Sequence, residues 1–123
     1  VPAQEWETYF TKDKPVIFNF HGYPETLKQV LFDHQDGSSR FHVHGYLESG
    51  STTTPFDLHL RNKTSRYDLL IEALTLLAKR GVVDASHAES IIDSYTKKIA
   101  VHKDYITRFG IDPDEIENWT WKN

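Results

Sequence analysis

The sequence contains no cysteine and no methionine. Without cysteine the chain can form no disulfide framework, no thiolate nucleophile and no cysteine-ligated zinc site, which fits a reducing compartment. Because methionine is missing even at position 1, the sequence does not have the form of an unprocessed translation product. We therefore expect a fragment or a processed product of a longer protein.

Long apolar runs and an excess of one charge are also lacking. No apolar run approaches the roughly 18 residues that span a bilayer, and residues 1–11 lack the apolar stretch of a signal peptide. The net charge is −4 and the two signs are interspersed, so no basic patch is available for nucleic acid or anionic lipid. We expect neither partner. A length of 123 residues with 38% hydrophobic content predicts one domain, residues 1–123.

The first half of the chain has the pattern of a strand, a helix and a second strand. The run "VIFNF", Val16 to Phe20, is β-branched and aromatic and is bounded by turn residues, which is typical of a buried strand. The segment "PETLKQVLFDH" places a proline at the first turn and apolar residues at helical spacing. After the polar turn "QDGSSR", the residues Phe41, Val43 and Leu47 alternate with polar ones, which predicts a strand.

The second half predicts helices. Thr54 can cap a short helix that has Pro55 at its first position, although the alternation of apolar residues there also fits a strand. An apolar stripe then predicts a helix that ends at Gly81, and a longer helix starts at Asp84 or Ser86 and ends at Gly110. These two should pack antiparallel. The tryptophans near the end, Trp119 and Trp121, should dock on this domain or on a neighbour.

The stretch "SGSTTTPFDLHLRNKTSR" is the candidate for anion binding. An anion could be bound by its threonine hydroxyls, its free backbone N–H groups and the basic residues after them. The same groups also fit a capped, backbone-bonded loop or the polar rim of an interface. The structural interpretation is favoured on local grounds. The candidate interface or anion-binding residues in and near the stretch are Thr52, Thr53, Thr54, Arg61, Lys63 and Arg66.

Histidines and carboxylates offer weaker patterns. His42 and His44 share one face of the second predicted strand, and with His21 and His34 they could suggest a metal site, but we expect surface or interface residues. The carboxylates Asp57, Asp68 and Glu72 are distributed as caps or solvated faces. Neither a nucleophile elbow, nor a phosphate loop, nor a dinucleotide fingerprint is present. Independent catalysis on the histidines is therefore the last of the alternatives.

Four separated segments resemble one family. The segments "KPVIFNFHGYPETL", "FHVHGYLESGSTTTPFDL", "NKTSRYDLLIEAL" and "NWTWKN" are together similar to the C-terminal region of the xylulose 5-phosphate/fructose 6-phosphate phosphoketolases, over essentially the whole chain. Two positions depart from the pattern of some members, which have arginine at the place of His44 and methionine at that of Leu58. These departures bear on the subgroup within the family more than on membership of the family.

The resemblance implies a cytoplasmic thiamine diphosphate- and Mg²⁺-dependent lyase that forms acetyl phosphate from a ketose phosphate and phosphate. In that family the cofactor residues lie in two preceding domains, so the resemblance implies no catalytic, cofactor-binding or metal residue here. It also implies an α/β, transketolase C-terminal-domain-like three-layer fold, of which this chain would contain a small mixed sheet and an antiparallel helix pair. The other phosphoketolase domains and a homodimer or higher oligomer are the implied partners, and a structural role supporting assembly is expected. A regulatory module that binds a metabolite or nucleotide is the alternative.

Overall fold

A computed structural model of the chain describes residues 3–33, 40–46 and 53–122. The described part contains two strands and six helices, and it divides into two compact units, residues 1–47 and residues 48–123. In chain order the elements are α1 (Ala3–Phe10), β1 (Val16–Asn19), α2 (Pro24–Asp33), β2 (Phe41–His44), α3 (Pro55–Arg61), α4 (Arg66–Lys79), α5 (Ala85–Phe109) and α6 (Asp114–Glu117).

The first unit contains the predicted strand, helix and strand. β1 and β2 pair in parallel, with Val16 opposite Phe41 and Asn19 opposite His44. Parallel pairing follows from the connection, because α2 carries the chain back to the start of the sheet. The sheet was predicted to be mixed, whereas the two described strands are purely parallel. The predicted turn at residues 35–39 and the continuation of the second strand to Leu47 lie outside the described residues.

An aromatic cluster covers one face of this small sheet. Phe18 and Phe41 stack with ring centroids 6.0 Å apart, and Phe10 of α1 lies 5.5 Å from Phe18. Trp6, one turn earlier in α1, lies 4.5 Å from Phe10 and 5.9 Å from Phe41. Since a two-stranded sheet is marginal by itself, these rings supply the apolar surface that holds the unit together. The sequence analysis did not predict α1.

The same tripeptide, His-Gly-Tyr, occurs at the carboxyl end of each strand, at residues 21–23 and 44–46, and the structure brings its two copies together. The N–H of Tyr46 donates to the carbonyl of Gly22 at 2.8 Å, and the ring of His21 stacks on that of Tyr46 at 4.4 Å. A Cβ added at Gly45 would lie 2.3 Å from that Gly22 oxygen and 2.4 Å from Cδ of Pro24. Glycine at position 45 is thus required by the close approach of two chain segments.

In the second unit several helix ends lie where the sequence predicted them, although the start of α4 at Ser65 was not predicted. Thr54, Ser65 and Asp84 cap α3, α4 and α5, and each side chain accepts a hydrogen bond from the backbone N–H three residues later. Helix α5 ends at Gly110, which has a left-handed φ of 67°. The predicted short helix after Thr54 is confirmed, which decides between helix and strand there. Helix α6 was not predicted.

The core of the second unit lies where α3, α4 and α5 meet. Phe56, Leu60 and Tyr67 are buried, and Tyr95 and Ile99 of α5 pack against them. Helices α4 and α5 also pack on one another, joined by a short connection, as in an antiparallel helix hairpin. Among the described residues, no helix is both long enough and apolar enough to cross a membrane.

Candidate functional site

The threonine stretch forms a capped loop whose hydroxyls are used inside the unit. Thr54 is buried, and its Oγ1 accepts a 3.1 Å hydrogen bond from the N–H of Asp57. The Thr53 hydroxyl donates to Oδ2 of Asp57 at 2.7 Å. The Arg61 Nε approaches the same oxygen at 2.7 Å. Thr53, Thr54 and Arg61 therefore come together around one buried carboxylate, while Thr52 lies outside the described residues.

The other two basic residues of the stretch lie elsewhere. Lys63 occupies the turn after α3, with a left-handed φ of 56°. Arg66 begins α4, and its guanidinium lies over the rings of Tyr67 and Trp119, 5.1 and 4.6 Å from their centroids. The structure thus separates Arg66, which faces aromatic rings, from Arg61, which pairs with a carboxylate. Whether any of these residues binds an anion stays a prediction.

An open cleft of about 1050 Å³ lies beside the threonine loop, between the start of α3 and the end of α5. Its lining carries four carboxylates against two basic side chains, so the charges in the cleft sum to a negative value. Asp112 contributes a buried Oδ1 that has no hydrogen-bond partner among the described residues. The charged lining residues are Asp57, Asp112, Asp114, Glu117, Arg61 and Lys103. This balance opposes a phosphate or diphosphate and favours a cationic group.

A second group of charges lies at the core of the same unit. His102 is only 4% exposed, and its Nε2 lies 3.7 Å from Oε2 of Glu115 in α6. The other Glu115 oxygen forms an ion pair with Lys98, one turn before His102 on α5. His102 also lies edge-on to Tyr67, with ring centroids 5.4 Å apart. His102 is therefore a core residue of α5 with charged neighbours, Glu115 of α6 and Lys98 of its own helix among them.

These contacts shift the pKa values of the three groups. Burial lowers the pKa of His102 below its ordinary value, although the Glu115 carboxylate opposes that shift. The hydrogen bond between Lys98 and Glu115 is the main cause that raises the pKa of Lys98 and lowers the pKa of Glu115. At neutral pH the arrangement is therefore a neutral imidazole beside an ion pair.

In the first unit, the carboxyl ends of both strands meet at the two His-Gly-Tyr tripeptides. His42 and His44 are half-buried along β2, and His21 stacks on Tyr46 at the end of β1. His34 lies outside the described residues. Across residues 3–33, 40–46 and 53–122, no three His, Cys, Asp or Glu side chains are placed to hold a metal ion.

Sequence reasoning did not find two of these arrangements. The closeness of Gly22 and Gly45 had one signal in the sequence, the repeated tripeptide, which follows the first predicted strand and lies within the second. The contact of Glu115 with Lys98 and His102 had only a weak signal, a basic residue and a histidine four apart on one helix and an acidic run afterwards. Asp57 and Asp68 lie in the first turns of α3 and α4, where their backbone N–H groups donate to the cap side chains and their carboxylates accept from the hydroxyls of Thr53 and Ser65.

Comparison with known proteins gives one family model and several relatives, all of them named for phosphoketolases or their C-terminal domain. Residues 1–121 match the family model described as XFP C-terminal domain. The chain is 41% identical over 121 residues to a probable phosphoketolase of Brucella abortus, covering 98% of this chain and 15% of that protein. It is 41% identical to probable phosphoketolase 2 of Lactiplantibacillus plantarum, and the match covers 95% of this chain and 14% of that protein.

A third relative is named by its substrate. The xylulose-5-phosphate phosphoketolase of Lactiplantibacillus pentosus is 38% identical over 118 residues, which cover 96% of this chain and 14% of that protein. The chain spans about 15% of the length of the curated relatives that it matches. The similarity to the C-terminal region of phosphoketolases, inferred above from four segments, is confirmed.

Proposed function

The chain belongs to the XFP C-terminal domain family, and from this premise we propose that it serves a phosphoketolase as an assembly-supporting domain without a catalytic centre of its own. The observation that carries the proposal is the extent of the match. The family model covers residues 1–121, whereas the chain spans only about 15% of the relatives named phosphoketolase. Most of such an enzyme, with its catalytic machinery, would therefore lie outside these residues.

The proposed parent enzyme cleaves xylulose 5-phosphate or fructose 6-phosphate with inorganic phosphate, giving acetyl phosphate and a shorter aldose phosphate. This reaction is that of an aldehyde-lyase, and we place it in the cytoplasm. Thiamine diphosphate and Mg²⁺ are assigned to the other domains of the enzyme. The assignment is supported by the extent of the match, since the chain spans only about 15% of the relatives named phosphoketolase.

A structural role is supported by apolar surface on the second unit. Val101 and Phe109 of α5 are 66% and 62% exposed, and Trp121 is 82% exposed. Several large apolar side chains exposed along one helix and its continuation are typical of a surface that another domain or subunit covers. The remaining phosphoketolase domains, and a homodimer or larger assembly, are the partners that we propose for it.

We further propose that both units belong to one domain of the transketolase C-terminal type, with three layers in the complete enzyme. The parallel β1–α2–β2 unit supports an α/β assignment, because parallel strands joined by a helix are the repeating element of such folds. The family model also runs through both units.

The alternative is a regulatory module that binds a phosphate-bearing metabolite or nucleotide. Thr53, Thr54, Arg61 and Lys103 all line the cleft and could contact such a ligand. The alternative ranks second because the carboxylates of the cleft outnumber its cations, and because the Thr53 hydroxyl and Arg61 are engaged with Asp57. Calorimetry of the 123-residue chain with xylulose 5-phosphate, acetyl phosphate and ATP separates the two. No binding heat is expected, and saturable heat would favour the regulatory module.

The main test uses the full-length protein that contains this chain. Acetyl phosphate should form from xylulose 5-phosphate and phosphate when thiamine diphosphate and Mg²⁺ are supplied, and the 123-residue chain alone should show no turnover. An inactive full-length protein would contradict the proposed reaction. Turnover by the isolated chain would contradict the placement of the catalytic centre.

The structural role needs a separate variant, since deleting the whole chain could unfold its neighbours. The double variant Phe109→Ser/Trp121→Ser removes two exposed aromatic rings and leaves the buried core of the unit intact. Sedimentation of the full-length enzyme should show weakened assembly, or thermal unfolding should show a lower midpoint. Val82→Ser, which removes an exposed apolar side chain from the α4–α5 connection, is the matched control. Equal behaviour of the double variant and the wild type in both measurements would refute the docking role.

A further inference from the structure

The last part of the second unit, residues 111–122, is attached mainly by side chains, and we call it the strap. Its only helix, α6, has four residues, and the residue before it, Pro113, provides no side-chain cap. The backbone N–H groups of residues 116–119 all bond to carbonyls inside the strap, at Pro113, Asp114 and Ile116. Isolated helices of this length are not stable in water. The strap therefore depends on what its side chains contact.

Three side chains of the strap face the rest of the unit. Glu115 forms an ion pair with Lys98 and lies 3.7 Å from Nε2 of His102. Ile116 packs on the core cluster of Phe56, Leu60 and Tyr67. The ring of Trp119 lies under the Arg66 guanidinium at 4.6 Å. Asp112 is partly buried beside the cleft, whereas Ile111 and Trp121 are both mostly exposed.

The interface under the strap contains two polar atoms without partners. Nδ1 of His102 under the strap and Oδ1 of Asp112 in the strap are buried, and neither atom has a hydrogen-bond partner among the described residues. A buried polar atom without a hydrogen bond destabilises the state that buries it, because water can satisfy the atom once the site opens. Closure of the strap is therefore opposed by the polar atoms that it buries.

From these contacts we infer that residues 111–122 form a strap that opens and closes on the α4–α5 pair while the rest of the unit stays folded. The Glu115 side chain is the contact that stabilises the closed state. One partly exposed ion pair, one cation–aromatic contact and one packed isoleucine stabilise the closed state of the strap. Two buried polar atoms without hydrogen bonds favour the open state. Opening uncovers the cations of Arg66 and Lys98 together with the rings of Tyr67 and Phe56. The strap thus controls access to a basic, aromatic surface.

Hydrogen exchange in the full-length protein tests this inference. The amides of residues 116–119 should exchange through a local opening whose rate hardly depends on denaturant, whereas the central amides of α5 should exchange only on global unfolding. Glu115→Gln should accelerate exchange in the strap by about two- to fivefold, the range expected for a partly exposed ion pair, and should leave α5 unchanged. Glu117→Gln, an exposed carboxylate of the same helix, is the matched control and should change neither.

A charge exchange supplies the second measurement. Lys98→Glu should accelerate exchange in the strap, and the double variant Lys98→Glu/Glu115→Lys should restore most of the protection. Equal acceleration by Glu115→Gln and Glu117→Gln would overturn the role of Glu115, as would a double variant no better protected than Lys98→Glu. Strap amides that follow the denaturant dependence of α5 would overturn the opening itself.

Discussion

The hydroxyl of Thr53 lies 2.7 Å from Oδ2 of Asp57 and donates a hydrogen bond to that carboxylate. This contact turns the Thr53 hydroxyl toward the interior of the unit, because Asp57 is itself buried and is held at the start of α3 by the Thr54 cap. From Thr53 onward the stretch therefore has the contacts of a capped loop. Anion binding by the same residues remains a prediction, and the acidic lining of the neighbouring cleft weighs against it.

The Thr54 cap should contribute measurably to stability. Thr54→Ala removes the acceptor of the Asp57 N–H and should lower the free energy of unfolding by about 1 kcal/mol, whereas Thr54→Ser should recover most of the loss. Urea denaturation of the chain measures both. Thr120→Ala, which truncates an exposed threonine, should stay within about 0.5 kcal/mol of wild type. Similar losses from Thr54→Ala and Thr120→Ala would show that the cap is not responsible.

Two aspartate–arginine pairs, each four residues apart on a helix, allow a controlled comparison of burial. Asp57 pairs with Arg61 and its side chain is 8% exposed, whereas Asp104 pairs with Arg108 and its side chain is 62% exposed. Asp57→Asn should cost about 2 kcal/mol, because it removes a buried charge that accepts from Thr53 and pairs with Arg61. Asp104→Asn should cost about 0.5 kcal/mol or less. Thermal unfolding of both variants checks this, and comparable costs would contradict it.

Acid should weaken the second unit through His102. Because burial lowers the folded-state pKa of His102 below its ordinary value of 6.5, the unfolded chain binds the proton more readily. The contribution of His102 to stability is therefore complete above about pH 6.5 and is lost as the pH falls toward the folded-state pKa. The groups that face His102 are Glu115, Lys98, Tyr67 and Arg66.

Urea midpoints between pH 5 and pH 8 measure this effect. His102→Gln should reduce the fall in stability below pH 6.5, and His87→Gln, an exposed histidine of the same helix, should leave it as in wild type. The lowered pKa of Glu115 acts in the same direction but only below about pH 4.5, outside this window. Parallel pH profiles of wild type and His102→Gln would disprove the assignment.

Two glycines should respond differently to alanine. Gly45→Ala would place Cβ against the Gly22 carbonyl oxygen, so we expect a loss of about 3 kcal/mol from displaced backbone. Gly110→Ala meets no atom within 4 Å, and only its φ of 67° opposes alanine, which costs about 1 kcal/mol. Gly110→Asn should cost less, since asparagine tolerates this conformation. Denaturant unfolding followed by circular dichroism ranks the three, and a Gly45→Ala variant as stable as Gly110→Ala would refute the steric argument.

The sequence predicted much of the secondary structure because the signals for it are local. Thr54 followed by Pro55 marks the start of α3, and Gly81 and Gly110 mark the ends of α4 and α5, since each acts within one helical turn of the chain. His102 lies at helical spacing from Ile99 and Ile106 of α5, and it is buried as Ile106 is. The missed helices, α1 and α6, are short, and packed aromatic and ionic contacts hold them in place.

The candidate site was less accessible to sequence reasoning. Arg61 and Arg66 are five residues apart and looked equivalent, yet one pairs with a carboxylate and the other covers aromatic rings. The difference arises at the turn between α3 and α4, where the chain changes direction around Lys63. A residue's neighbours across such a turn depend on how two helices pack, which sequence spacing does not contain.

By itself, the sequence determined the family, the strand–helix–strand order of the first unit and the main helices of the second, because caps, glycines and periodicity act over a few residues. Only the tertiary structure decided that Thr53 faces Asp57, that Gly22 meets Gly45 and that Glu115 pairs with Lys98. The last two contacts join segments 17 or more residues apart, and Thr53 could equally have turned its hydroxyl to solvent. Tertiary packing decides which of these contacts form, because the free energy of each contact depends on how far the surrounding residues bury it.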